Sequence, residues 1–198
     1  MNKQSMLYTV IFTFTISFVL VTVLAFSNEA TREMVELNNQ VSRSRAVLNA
    51  LGLEYSGQQD LLARYEELSR DDDSGLYSTE IEGKDVYAKE FSGQGLWGTI
   101  RGVIAFTADL ERFVGLEIVE HSETPGLGGR IEEPLYKNQF RGLHIPDDGE
   151  FELNAAGGSD PDEGKIDAVT GATGTSRAMT SIINSQVQQL KEILGGRS

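Results

Sequence analysis

From Gln4 to Asn28 the chain carries no charge, and about 21 residues of that interval, MLYTVIFTFTISFVLVTVLAF from Met6 to Phe26, form one apolar run. A run of this length covers a hydrocarbon core of roughly 30 Å as a helix, so it predicts a transmembrane helix at 6–26. A cleaved signal peptide is the alternative reading. Its apolar core usually spans only about 7–15 residues, however, and AFS before Asn28 is a poor cleavage site. Lys3 precedes the run, whereas Glu29, Arg32 and Glu33 follow it. The positive-inside rule therefore assigns residues 1–5 to a cytoplasmic tail and the domain beyond the helix to the other side.

Everything after the apolar run is acidic. Its 16 bases face 30 acids, leaving −14, a surface that repels nucleic acid and anionic headgroups. Cysteine is absent, which excludes disulfides, thiolate-ligated iron–sulfur clusters and thiol catalysis. His121 and His144 are the two imidazoles. Without a His/Cys cluster no metal site is expected.

Met34, Leu37, Val41, Leu48 and Leu51 recur at helical spacing, predicting a helix that continues past the apolar run and stops at Gly52. Its stripe suits packing on its own domain or on another membrane subunit. A second helix is expected over QQDLLARYEELSR. From Tyr77 onward β-branched and aromatic residues cluster in DVYAKEFS, GTIRGVIAFT and FVGLEIVEHS, which predict strands. A short helix over EEPLYKNQFRG and a loop from Pro146 to Gly164 follow. An amphipathic helix from about 176 to 194 closes the chain, on Met179, Ile182, Ile183, Val187, Leu190 and Leu194. Strands followed by a closing helix, without a βαβ rhythm, indicate an α+β fold with a mostly antiparallel sheet. The expected division is 6–26 transmembrane helix, 27–75 helical stalk or linker, and 76–198 a domain.

Three segments are candidates for chemistry. DAVTGATGTS (Asp167–Ser176) sets hydroxyls and glycines at the start of the last helix, where free N–H groups and the helix dipole favour a phosphate. Gly171 and Gly174 allow close approach, and Thr170, Thr173, Thr175 and Ser176 supply hydroxyls. The plain alternative is that Thr175 or Ser176 caps the helix. A P-loop is excluded, because no Gly-Lys-Ser/Thr follows. In HSETPGLGGR (121–130), Pro125-Gly126 predicts a turn. Glu123, Thr124, Gly126, Leu127 and Gly128 there combine polar groups and apolar cover suited to a flat heteroaromatic ring, or form only a glycine-rich hairpin loop. In GQGLWGTIRG, Trp97 suits either a ring contact or the core.

Together these segments resemble the FMN-binding domain shared by the C subunit of the Na+-translocating NADH:quinone reductase and the G subunit of the Rnf complex. DAVTGAT matches the pattern Asp-x-x-Ser/Thr-Gly-Ala-Thr, and HSETPGLG matches a second family signature. GQGLWGTIRG and RAVLNALGL are closer to the reductase protein than to the Rnf protein. The resemblance implies that a flavin transferase recognises Asp167, Thr170, Gly171, Ala172 and Thr173 and esterifies Thr173 with the phosphate of FMN. It further implies FMN contacts from Trp97, Glu123, Thr124, Gly126, Leu127, Gly128, Thr170, Gly171, Ala172, Gly174, Thr175 and Ser176. Thr170 stands where serine is common, and Gly174 where a bulkier apolar residue is usual.

The implied role is a membrane-anchored electron carrier without catalytic residues of its own. It would work among the other membrane subunits of an ion-translocating NADH:quinone reductase in the cell inner membrane, with its domain on the periplasmic side. No dinucleotide fingerprint is present, so another subunit would oxidise NADH. An Rnf-type subunit, or an anchored binding or sensor domain without electron traffic, are the alternatives.

Overall fold

The computed structural model describes residues 6–155 and 157–195. The tail expected at 1–5, with Lys3, lies outside the described residues. The chain divides into two compact units, residues 1–40 and 41–198. Helix α1 (Met6–Leu51) begins in the first and ends in the second.

Within the first unit α1 is long and apolar enough to cross a membrane, with a mean hydropathy of 2.4 over its most apolar window. Its apolar side chains are exposed, Phe14, Phe18 and Leu24 among them. The hydroxyls of Thr15 and Thr22 donate to the carbonyls of Ile11 and Phe18, each at 2.8 Å. These two hydroxyls are thus satisfied within the helix, an arrangement compatible with a hydrocarbon environment. Met34 and Leu37 are exposed, whereas Leu48 and Leu51 are buried. The expected apolar stripe thus becomes core only towards its end, where Gly52, at φ +74°, terminates the helix.

The second unit is built on a five-stranded antiparallel meander in the order β1-β2-β3-β4-β5. Its strands are β1 (Ser69–Asp71), β2 (Leu76–Ile81), β3 (Lys84–Gln94), β4 (Thr99–Thr107) and β5 (Phe113–Glu120). The continuous apolar run VIAF in GTIRGVIAFT explains why both faces are covered. Ile100, Ile104 and Phe106 enter one core with the last helix, while Val103 and Ala105 enter another with Ala46, Val47, Ala50 and Leu51 of α1. Successive strand residues point to opposite faces, so a strand apolar at both parities must be packed on both.

Several expectations are corrected. Helix α2 (Gly57–Glu66) is shorter than the sequence run suggests, because Ser69–Asp71 pairs with β2 as strand β1. The helix expected over 132–142 is a 3-10 turn at Gly128–Glu132, a single turn α3 (Pro134–Lys137) and a second 3-10 turn at Asn138–Phe140. The expected loop at 146–164 contains β6 (Glu152–Asn154), which pairs in parallel with β7 (Lys165–Asp167). Helix α4 (Thr173–Gly195) starts three residues earlier than its apolar periodicity indicates.

Helix α4 buries Met179, Ile182, Ile183, Val187 and Leu190 against the sheet. The approach is closest at Gly93 of β3, where a Cβ would lie 2.4 Å from Cγ1 of Ile182. Gly93→Ala is therefore expected to destabilise the domain by about 1–3 kcal/mol through overpacking. Ile182→Ala, which removes the atoms that the new Cβ meets, should cost less in the Gly93→Ala background than alone, and urea unfolding of the four members of this cycle measures the coupling.

Candidate functional site

The rim at the N-terminus of α4 is assembled by one side chain. Glu123 follows β5 and is 3% exposed. Its Oε1 accepts the backbone N–H groups of Leu96 at 2.8 Å and Trp97 at 3.1 Å. Its Oε2 accepts the hydroxyl of Thr175 at 2.6 Å. Leu96 and Trp97 form the tip of the β3–β4 hairpin, closed by Gly95 N–H donating to Gly98 O at 2.8 Å. Because the tip turns its amides inward to the carboxylate, its side chains face outward. Leu96 is 53% and Trp97 69% exposed, so Trp97 is not a core aromatic.

The glycines around this carboxylate are spatial requirements. A Cβ on Gly95 would sit 2.5 Å from Glu123 Oε1, and one on Gly128 would sit 2.4 Å from Thr175 Oγ1. Gly128 is buried, and Gly126, at φ +73°, makes the expected turn after Pro125. The segment is not a hairpin loop, because it leads from β5 into the 3-10 turn at Gly128. Thr124 and Leu127 are exposed on its outer side. A Cβ on Gly171 would lie 3.5 Å from Leu127 Cδ2, and one on Gly174 would lie 3.1 Å from Leu96 Cδ2. The ETPGLG segment, the hairpin tip and the start of α4 therefore meet at one rim.

The hydroxyls of TGATGTS divide into two groups. Thr175 and Ser176 are buried inside α4, and neither is its cap. Ser176 Oγ accepts the Val169 N–H at 2.9 Å and donates to the Ala172 carbonyl at 3.1 Å, which fixes the turn ahead of the helix. Thr173 opens the helix and is exposed, as is Thr170. Ala172 is buried, anchoring the motif between them. Among the described residues the amides of Thr173, Gly174 and Thr175 have no hydrogen-bond acceptor. Three free donors at the positive end of a 23-residue helix, beside an exposed hydroxyl, form a donor set that fits a phosphate ester. Exposed Leu96, Trp97 and Leu127 supply apolar surface for a ring next to it.

Asp167 lies at the end of β7 and serves the preceding loop. Its carboxylate accepts the N–H groups of Gly157 at 2.9 Å and Gly158 at 2.8 Å, while its own N–H donates to Gln139 Oε1 at 2.7 Å. Sequence reasoning missed Leu96, although the flanking Gly95 and Gly98 mark a tip that exposes both residues between them. It also missed Gln139, for which the sequence carries no signal.

Residues 95–188 match the FMN-binding domain family. Over this stretch, just under half of the chain, the protein is similar to FMN-binding domains. Among curated proteins, the C subunit of the Na(+)-translocating NADH-quinone reductase from Pseudomonas aeruginosa is 34% identical over 116 residues, 55% of this chain and 44% of that protein. The G subunit of an ion-translocating oxidoreductase complex from Methanosarcina acetivorans is 33% identical over 101 residues, 51% of this chain and 49% of the relative. The aligned segments span less than half the length of these relatives. The fold matches the crystal structure of the C subunit of a Na(+)-translocating NADH-quinone reductase from Parabacteroides distasonis with a TM-score of 0.70 and 21% identity, over 82% of this chain and 96% of that one. NqrC of Shewanella oneidensis matches with a TM-score of 0.66 and 18% identity, over 81% and 99%. The residues matched to the FMN-binding domain include all three segments of the rim, from Leu96 at the hairpin tip to Thr175 in α4.

Truncating Glu123 to Ala strips the acceptor from two amides and one buried hydroxyl, and should cost about 1–3 kcal/mol. Hydrogen exchange should accelerate at the amides of Leu96 and Trp97 while β1 and β2 keep their protection. Thr175→Val, which removes one of the three bonds, is expected to have the smaller effect on those amides.

Proposed function

We propose that this chain is a membrane-anchored flavoprotein subunit that carries electrons through FMN esterified to Thr173, within an ion-translocating NADH:quinone reductase. The observation that supports this most directly is the exposed Thr173 hydroxyl beside three unbonded amides at the start of α4. Bound FMN supplies the redox chemistry; the chain supplies its position and surroundings.

Burial argues for Thr173 among the hydroxyls of the motif. Thr175 and Ser176 are buried and bonded to Glu123, Val169 and Ala172, which leaves them out of reach of a transferase. Thr170 is exposed but lies three residues before the first turn of α4. Esterification forms a bond from Thr173 Oγ1 to the phosphorus of the flavin nucleotide. The hydroxyl proton is lost and the donor's leaving group departs, so the net gain is FMN less one water. The amides of the first turn then face the remaining phosphate charge.

A tether also answers the electrostatics. A region at −14 repels a free flavin phosphate, whereas a covalent link holds the ring at high effective concentration beside Trp97, Leu127 and Leu96. Glu123 acts from beneath this rim, and Gly128 gives it room. Asp167, held by Gln139 and by the loop at Gly157 and Gly158, leads into the segment that a transferase would grip. Similarity to named subunits of sodium-translocating and other ion-translocating complexes supports other membrane subunits as partners. With α1 in the inner membrane, the domain lies on the periplasmic side.

Coexpression with a flavin transferase should add one FMN less one water to the tryptic peptide of residues 166–177. Thr173→Ala should lose that mass, whereas Thr170→Ala and Thr175→Ala should keep it. Mass spectrometry of the four proteins decides the site, and a mass retained in Thr173→Ala would remove it from Thr173.

A further inference from the structure

Arg177 follows Thr173 by one turn of α4, and residues four apart on a helix share a face with Cβ atoms about 5–6 Å apart. Arg177 lines a groove with Glu150 and Phe151, and because long helical side chains can lean towards the N-terminus it can swing back over the turn that carries Thr173. It is exposed and, among the described residues, its side chain makes no ion pair or hydrogen bond. Arg64, Arg101, Arg112, Arg130 and Lys165 are each paired with a carboxylate, so in this acidic domain the Arg177 guanidinium is one of the cations left open to an added anion. Glu150 lines the same groove along α4, together with Phe151, Leu153 and Asn184. Its carboxylate accepts from Asn184 Nδ2 at 2.7 Å rather than from Arg177.

We propose that Arg177 is a positioning residue for the phosphate of FMN on Thr173, its guanidinium pairing with the non-bridging oxygens of the phosphodiester. The proposal rests on Thr173 being the attachment point. A phosphodiester keeps one negative charge and two equivalent oxygens, which suit the planar fork of a guanidinium better than the point charge of an ammonium. The first-turn amides and Arg177 then hold the phosphate from two sides. A single ester bond would let the flavin swing, and this second contact restricts it.

The test uses the full chain coexpressed with a flavin transferase, as wild type, R177Q and R177K, with T173A as the unmodified control. Intact mass reports loading, the phosphorus NMR resonance reports the surroundings of the phosphodiester, and flavin fluorescence anisotropy reports its mobility. Loaded R177Q should show a shifted resonance and lower anisotropy, with R177K between it and wild type. Because Arg177 is exposed, the unfolding midpoint of the unmodified protein should not change. Folded R177Q that takes up no FMN while R177K does would also support the proposal, by requiring the cation already during transfer. Loaded R177Q with the wild-type resonance and anisotropy would overturn the role of Arg177 alone. A wild type that gains no mass would overturn the Thr173 attachment, and the role of Arg177 with it.

Discussion

A carboxylate buried to 3% exposure is costly unless hydrogen bonds replace the water it loses, and Glu123 replaces it with two backbone amides and a hydroxyl. Those donors come from two separate elements, the β3–β4 hairpin tip and α4. Satisfying Glu123 therefore brings together parts of the chain that are 79 positions apart at their extremes, Leu96 and Thr175. The same requirement explains Gly95 and Gly128, where a Cβ would meet Glu123 or Thr175. It also explains why Leu96 and Trp97 are displayed rather than buried: with their amides committed inward, their side chains have only the outside.

The arrangement sorts chemically similar residues into different roles. Within TGATGTS, Thr175 and Ser176 use their hydroxyls to hold the rim together, while Thr173 keeps its hydroxyl exposed beside unbonded amides. Composition cannot distinguish these threonines; the helix register does. Thr173 opens the helix facing outward, and two residues further on Thr175 points at Glu123. The exposed position of Thr173 thus depends on a buried carboxylate that need not touch a flavin.

The elements with strong periodicity are legible in the sequence. The apolar run of α1 and the stripe from Met179 to Leu194 extend over enough residues to declare themselves, while β3, β4 and β5 show as clusters of β-branched and aromatic residues. β1 and β6 are three residues each, too short to alternate detectably, and β6 lies in a stretch rich in Gly, Asp and Pro. Periodicity places the start of α4 too late because its first turn, Thr173 to Ser176, has no apolar residue to extend the stripe. The site is readable as motifs, but the work of its members is not. Glu123 and Thr175 stand 52 positions apart, and no local pattern announces a bond between them.

Trp97 is the single tryptophan of the chain and stands on the rim, so its emission reports directly on whether a flavin tethered at Thr173 reaches that surface. The decisive measurement compares tryptophan fluorescence of the FMN-bearing and unmodified proteins, folded and in urea. The account predicts strong quenching in the folded FMN-bearing protein that is largely relieved on unfolding, even though the ester bond persists. Equal emission from the two folded proteins would contradict it.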